Sequence, residues 1–296
     1  MINQKEISAE IDRLNQIKTL IETYEEIAAN RMRKNRSIVL ASRLFNEGLV
    51  DMYKEIKTSY RKQLLALMHK RHVSTTQGFS LLRRNGKTVA VFLSSNAGLY
   101  GNIVQRLSDE FIKYVQSNKS DVLVIGRLGK KLFEEGLPGH PYTFFDLPDT
   151  NIESMDVEKL SNLLIGYEKI YIFYGRFESV GVQRPTVLDV VGQNIEEEEE
   201  QQNQQTNTQQ VKYLFEPSLE EIMIFFEEQI FTSIIEQTLK ESELAKFASR
   251  MITLDSATEN VKADLKNVYL KQRLLEHREK NKKQQELLLG MSLWNK

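Results

Sequence analysis

Apolar residues at the start of the chain repeat with the spacing of a coiled-coil helix. Between Glu6 and about Lys70 there is no proline and one glycine, Gly48, in a stretch rich in Glu, Lys, Arg, Leu, Ile and Ala, which favours helix. The predicted seam consists of Ile7, Leu14, Ile17, Ile21, Tyr24 and Ala28, with Ile11 and Ile27 on one flank. Such a seam needs a partner helix, so residues 1–70 are predicted to form one helix of a coiled coil.

The pattern changes over residues 75–192 to short apolar runs separated by Gly, Pro, Asn and Asp. Their β-branched and aromatic residues are typical of strands buried on both faces. The predicted strands are Lys87–Ser94, Asp121–Ile125 and Lys169–Tyr174, with an edge strand at Arg184–Val191 after Pro185. The predicted helices are Ile103–Gln116, Lys130–Gly136 and Val157–Gly166. This alternation predicts a central α/β domain with a doubly wound, mostly parallel, Rossmann-like sheet.

A low-complexity stretch separates this domain from a second long helix. Residues 195–212 contain five consecutive glutamates, Glu196–Glu200, followed by a Gln, Asn and Thr run, which predicts a disordered acidic and Gln-rich loop. Residues 213–296 are predicted to be helical, with Pro217 in the first turn and a capping box from Ser218 to Glu221.

The C-terminal helix carries two apolar patterns along its length. A broad apolar face consists of Ile222, Phe225, Phe226, Ile230, Ile234 and Ile235, and a narrower stripe continues through Leu254, Ala257, Val261, Leu265, Val268 and Leu275. We therefore expect the two terminal helices to pair as an antiparallel coiled coil, with the α/β domain inserted between them.

Composition narrows the class of protein. The 296 residues carry 40 Lys and Arg against 41 Asp and Glu, and there is no cysteine. A disulfide scaffold, a thiolate nucleophile and a Cys-based metal site are therefore excluded. No apolar run approaches the roughly 20 residues that span a bilayer, so we expect a soluble protein.

The best candidate for a phosphate-binding loop is Ser94–Asn102, between the first strand and the next helix. It contains only Gly98 and Gly101 and matches neither GxGxxG nor GxxxxGK[ST]. A tight turn is the competing interpretation. A nucleotide- or phosphate-binding α/β enzyme stays open as an alternative function.

The remaining candidate chemistry is sparse. His69 and His72 share a helix face, but no carboxylate or cysteine completes a metal site near them. We therefore predict no metal, no cofactor and no catalytic residue. Four basic residues lie within six positions, at Arg31, Arg33, Lys34 and Arg36. A solvated helix face, an acidic protein partner and a nucleic acid are the three interpretations of this basic segment.

Several motifs resemble those of the gamma subunit of F-type ATP synthases, in an order that covers nearly the whole chain. The segments that resemble family motifs are AANRMRK (28–34), ASR (41–43), SNAGLYG (95–101) with Gly126 after the second strand, YLFEPS (213–218), ASRM (248–251) and DSATEN (255–260). Asn96, Ala97 and Tyr100 depart from the family pattern in the central turn. The sequence is therefore identified as a divergent member of this family.

The resemblance implies the fold and the role of a central-stalk rotor. In that family the paired helices lie inside the alpha/beta hexamer, and the α/β domain rests with the epsilon subunit on the ring of c subunits. Catalysis belongs to the beta subunits, so the chain itself is expected to be non-catalytic. The complex is peripheral on the cytoplasmic face of the cell membrane, and this chain is expected neither to span the membrane nor to bind nucleic acid. An orphan coiled-coil interaction protein derived from the family is the second alternative.

The resemblance also suggests which residues contact partners. The candidate contacts are Arg31, Arg33, Lys34, Arg36, Arg250, Met251, Asp255, Thr258, Asn260 and Glu286. Near the C-terminus, Glu286 and Gly290 fit the family pattern, whereas Lys280 and Asn281 replace an Ile-Thr pair. Because charges oppose a tight, dry contact, we expect a looser or wetter bearing at this tip.

Overall fold

The structure of the protein is a computed structural model that describes residues 4–60, 84–98, 100–190 and 216–294. The chain divides into two compact units, one made of residues 1–30 with 250–296 and the other of residues 31–249. The predicted loop at 195–212, His69 and His72 lie outside the described residues. Across the described ranges, no helix is both long enough and apolar enough to cross a membrane.

Two long terminal helices flank an α/β region. The helices are α1 (Gln4–Ser59), α2 (Ile103–Ser117), α3 (Arg127–Gly136), α4 (Ser154–Leu164) and α5 (Leu219–Trp294). The strands are β1 (Thr88–Leu93), β2 (Asp121–Ile125), β3 (Thr143–Phe145), β4 (Lys169–Phe177) and β5 (Gln183–Asp189). The short strand β3 was not predicted. α1 ends at Ser59, and the rest of the predicted first helix, residues 61–70, lies outside the described residues.

The five strands form one mixed sheet in the order β3-β2-β1-β4-β5. β1 pairs in parallel with β2 and β4, and β2 pairs in parallel with β3. β5 runs antiparallel to β4 at the edge, where Pro185 is tolerated. The predicted mostly parallel α/β fold is confirmed.

Alternate residues of the strands face opposite sides of the sheet, and each side is covered by helices. One face packs Ala90, Phe92, Val124 and Phe173 against α2 and α3. The other face packs Val89, Val91, Leu123 and Ile172 against α4 and against Ile235 and Leu239 of α5. The strands are therefore buried on both faces, as their continuous apolar runs predicted.

Within the unit of residues 31–249, α1 and α5 pair antiparallel. Ile56 clusters with Met223, and the Tyr53 hydroxyl donates to Glu227 at 2.9 Å. Toward the N-terminus of α1 the partners lie progressively later on α5: Asn46 bonds Gln237, and Arg43 bonds Glu241. The predicted antiparallel pairing is confirmed in this unit.

In the unit of residues 1–30 and 250–296, the same two helices contribute a narrower apolar seam. The buried cluster consists of Ile7, Ile11, Leu265 and Val268, with Leu14, Val261 and Leu275 packed against it. The spacing of four and three residues along both helices is that of a coiled coil.

Three apolar residues that were predicted to pack are exposed. Tyr24 is 48% exposed, Ile27 43% and Phe225 54%. The inward positions on α1 advance by alternating steps of four and three residues, which places Glu25 rather than Tyr24 toward the seam. The aliphatic stem of a long charged side chain can cover apolar surface there while its head stays in water. On α5, Met223 is buried where Phe225 was expected.

Phe111 is the central aromatic side chain in the packing of α2 against the sheet. Its ring lies 5.0 Å from Phe92, 5.1 Å from Phe173 and 5.8 Å from Phe133. Phe111→Ala should lower the free energy of unfolding by about 3–5 kcal/mol, because it leaves a cavity among three rings. Urea unfolding of the full chain measures this loss. The matched control, Phe45→Ala at a 61% exposed position, should change stability little, and equal losses would contradict this packing.

Candidate functional site

The candidate phosphate-binding turn after β1 is closed by a carboxylate of the protein itself. The two oxygens of Asp149 accept hydrogen bonds from the backbone N–H groups of Asn96 and Ala97, each at 2.8 Å. Backbone N–H groups at such a turn are the donors that bind phosphate in nucleotide-binding folds. Here Asp149 takes the place of an anionic ligand, which supports the interpretation of Ser94–Asn102 as a structural turn.

The Asn96 side chain links this turn to the end of β2. Its amide nitrogen donates to the Leu147 carbonyl at 2.8 Å, and its oxygen accepts the Arg127 N–H at 2.8 Å. Arg127 also pairs with Asp146 at 2.9 Å, and this bond holds the pKa of the Asp146 carboxyl below its usual value. Asn96 thus joins the turns that follow β1, β2 and β3.

Gly126 allows the turns after β1 and β2 to pack backbone to backbone. Its φ is +93°, and a Cβ added there would lie 2.7 Å from the Ser95 backbone. Leu128 donates its N–H to the Ser95 carbonyl at 2.9 Å across the same contact. Only glycine fits this conformation and this close approach.

Helix α5 lies against the carboxyl edge of the sheet. The Lys246 side chain is 8% exposed, and its ammonium donates to the carbonyl of Ser94 at the end of β1. Burial lowers the pKa of Lys246, and the charges of Asp149 and Glu243 oppose part of that shift. The next residue, Phe247, packs edge-on against Tyr100, with the ring centres 6.2 Å apart.

A second buried charge, Glu241, joins three elements. Glu241 is 5% exposed and accepts a hydrogen bond from Arg43 of α1 at 2.8 Å, with Arg176 of β4 at 3.9 Å. The pKa of Tyr174 is raised to about 12, mainly by burial and secondly by the negative charge of Glu241. Glu241 therefore ties α5 to both α1 and the sheet.

The basic segment lies on α1 with its charged side chains exposed. Arg31, Arg33, Lys34 and Arg36 all have exposed side chains. The Arg31 guanidinium lies 5.6 Å from the centre of the Phe247 ring, a cation–π contact. Arg31 and Lys34 also line a cleft of about 340 Å³ whose opposite wall includes Glu236 and Glu243 of α5.

The C-terminal candidate contacts differ in exposure. Asp255, Asn260 and Glu286 are exposed, whereas Arg250 and Met251 are half-buried. Thr258 is only 4% exposed, since it lies on the inward side of the helix in the unit of residues 1–30 and 250–296. That burial removes Thr258 from the exposed candidates.

Sequence reasoning missed Asp149, Glu241 and Lys246. For Lys246 the available signal was its position within the apolar segment LAKFA (244–248), because a charge there is rarely buried without a partner. Glu241 lies among polar residues and gave no such signal. Asp149 lies in a loop and gave no signal, since its role depends on its contact with a turn 53 residues earlier in the chain.

Two long helices that pair antiparallel around an inserted five-stranded α/β domain define the class of central-stalk subunits of rotary ATPases. A family model described as ATP synthase matches residues 3–275. The chain belongs to the ATP synthase gamma family, as its motifs predicted.

Individual relatives agree with this assignment. The ATP synthase gamma chain of Roseiflexus castenholzii is 25% identical over 279 residues, covering 88% of each chain. That of Ruthia magnifica is 23% identical over 290 residues, covering 91% of this chain and 92% of the relative. The central stalk of the Tetrahymena thermophila mitochondrial ATP synthase has a similar fold, with a TM-score of 0.56 at 16% identity over 80% of this chain and 99% of that one. The enzyme and orphan-protein alternatives gain no support from these comparisons.

Replacing Gly126 tests the close packing of the two turns. Gly126→Ala should lower the free energy of unfolding by more than about 2 kcal/mol, because the new Cβ meets backbone atoms that cannot move aside. Gly139→Ala is the matched control: its φ is +80°, but a Cβ there meets nothing within 4 Å. The control should lose only about 1 kcal/mol from backbone strain. Equal losses in urea unfolding would refute the close approach.

Proposed function

We propose that this gamma chain is the non-catalytic rotor of its ATP synthase. Its paired helices turn within the hexamer of alpha and beta subunits and couple proton or other ion flow through the c ring to ATP synthesis on the beta subunits. The epsilon subunit is a further partner, and the assembly lies on the cytoplasmic face of the cell membrane. The observation that carries this proposal is the antiparallel pairing of α1 and α5, together with the polar contacts that fix its register.

The pairing suits the transmission of torque. Two helices in lateral contact resist twisting better than one, and buried polar pairs discriminate between registers. Slippage of α1 along α5 would separate Arg43 from Glu241 and remove the shorter of the two ion pairs of a buried carboxylate, which is strongly unfavourable. Rotation applied to the α/β region is therefore passed to both helices together.

The charge of the basic segment favours an acidic protein partner. Its four side chains are exposed on α1, where they can approach acidic loops of the catalytic subunits. Contacts of this kind transmit energy when they differ between the conformations of the partner. On α5, exposed Asp255, Asn260 and Glu286 are further proposed contact residues.

The far end of α5 suits a loosely fitting bearing. Leu275 is the last apolar residue packed in the seam, and residues 277–288 are all exposed. Lys282 and Glu286 form a weak pair at 3.9 Å on this surface, while Leu287 and Leu288 offer apolar contacts. A sleeve around this tip must accommodate both kinds of side chain, which supports the expectation of a wetter contact.

Reconstitution with the alpha and beta subunits of the same organism tests the proposed role. A stable assembly with one copy of this chain per hexamer, and a raised and cooperative ATPase rate, is the expected result. Elution of the chain alone in gel filtration, with no change in ATPase activity, would favour an orphan interaction protein instead.

Charge reversal tests the basic segment. Arg33→Glu with Lys34→Glu should reduce ATP-driven proton pumping in membrane vesicles by about tenfold, because attraction to acidic loops becomes repulsion, a change of roughly 1.4 kcal/mol or more. The matched control, Lys113→Glu with Lys119→Glu, makes the same charge change at exposed positions of the α/β region. The control should pump normally. Unchanged coupling in the first variant would exclude these two residues as contacts.

A further inference from the structure

The crevice where open α/β sheets bind ligands is occupied by α5. Such ligands lie beyond the carboxyl ends of the strands, at the point where the connections diverge to opposite sides, which in this sheet falls between β1 and β4. Residues 244–249 of α5 are all buried. The Ala245 Cβ lies 3.6 Å from where a Cβ on Gly175 of β4 would be. The helix thus contacts both strands that flank the crevice.

Lys246 is the polar centre of this contact. Its ammonium donates to the Ser94 carbonyl, the first acceptor beyond the end of β1. Two carboxylates lie close enough to act on its charge: Asp149, which binds the turn after β1, and Glu243, one turn earlier on α5. The Lys246 side chain thus occupies the edge of the sheet at which related folds bind a ligand. The chain itself supplies the charged group that interacts with the anions there.

We propose that Lys246 is a positioning residue that locks α5 to the carboxyl edge of the sheet and so transmits torque between the α/β region and the helix. The lock consists of the hydrogen bond from the Lys246 ammonium to the Ser94 carbonyl, with the negative charges of Asp149 and Glu243 acting on that ammonium. It rests on the rotor function proposed above.

The physical reason is the cost of breaking this contact. If α5 turned or slid against the sheet, the Ser94 carbonyl would lose its donor, and the negative charges of Asp149 and Glu243 would lose a nearby cation. Buried groups left without partners are strongly disfavoured. The apolar contacts nearby, Ala245 on Gly175 and Phe247 on Tyr100, depend little on a small rotation of the helix. Lys246 therefore supplies a directional bond between α5 and the end of β1, in addition to the 3.9 Å ion pair of Glu241 with Arg176 of β4.

The first test replaces the ammonium but keeps the length of the side chain. In membrane vesicles with the complete complex, Lys246→Met should keep ATP hydrolysis close to the parent rate. Proton pumping per ATP hydrolysed should fall by about tenfold. Losing one hydrogen bond from a charged group shifts the balance from the locked to the slipped arrangement by about this factor. The matched control is Lys240→Met, which removes a lysine from the same helix whose partner is Glu236, on α5 itself. The control should remain coupled.

A removable crosslink separates locking from a general loss of structure. The chain has no cysteine, and the 3.6 Å separation at Gly175 and Ala245 is within the Cβ–Cβ range of a disulfide. The Ile103 side chain, 3.1 Å from the new Cβ, must shift slightly. Gly175→Cys with Ala245→Cys should restore coupling in the Lys246→Met background when oxidised. Reduction should remove the rescue, and the crosslink in the parent background should leave coupling normal.

The outcomes distinguish this proposal from the function on which it rests. Failure of the parent complex to assemble and to pump protons or another ion would overturn the rotor function itself. A coupled parent with an equally coupled Lys246→Met variant would overturn the lock alone. An uncoupled Lys246→Met variant that the oxidised crosslink does not rescue would also overturn it, since the lysine would then act by something other than fixing α5 to the sheet. If Lys246→Met does not assemble, assembly and coupling regained only under oxidising conditions support the lock.

Discussion

The antiparallel contact between α1 and α5 is the constraint on which the rest of the structure depends. In the unit of residues 31–249, one stretch of α5 packs against several surfaces at once. Ile235 and Leu239 cover a face of the sheet, Glu241 binds α1 and β4, and Lys246 binds the end of β1. This explains why α5 is buried almost all round at residues 241–249. In the unit of residues 1–30 and 250–296, α5 instead shows a narrow seam, because among the described residues the apolar side chains packed on it there come from α1.

The carboxyl edge of the sheet illustrates how a fold used by many nucleotide-binding proteins can serve a structural role. The backbone donors after β1 are satisfied by Asp149, and the crevice beside them is filled by Ala245 and Lys246. Each charge in this region has an opposite charge or a hydrogen-bond partner close by, which makes its burial tolerable. Buried polar contacts of this kind favour one arrangement of helix and sheet over alternatives that apolar packing alone would allow.

Local patterns in the sequence were sufficient to predict most of the fold. The runs that became β1, β2 and β4 are continuous and apolar because both of their faces are covered, and that signal needs no tertiary information. The heptad pattern predicts the packing of α1 except at Tyr24 and at Ile27 on its flank, which are exposed. At the first of these the inward position belongs to Glu25, because the aliphatic stem of a glutamate suits a half-buried position. Strand β3 has three residues, which is too short to show a period. Asp149 and Lys246 could not be predicted as a pair, because 97 residues separate them in sequence and only the completed sheet brings them to one edge.

Rotation of single molecules tests the central claim that this chain turns as a rotor. Because the chain contains no cysteine, Lys131→Cys on the exposed side of α3 would provide a unique attachment point for a bead. In an assembly with alpha and beta subunits fixed to a surface, ATP should drive rotation of the bead in one direction, with one step for each catalytic site. Continued ATP hydrolysis with a bead that shows only random motion would contradict the account.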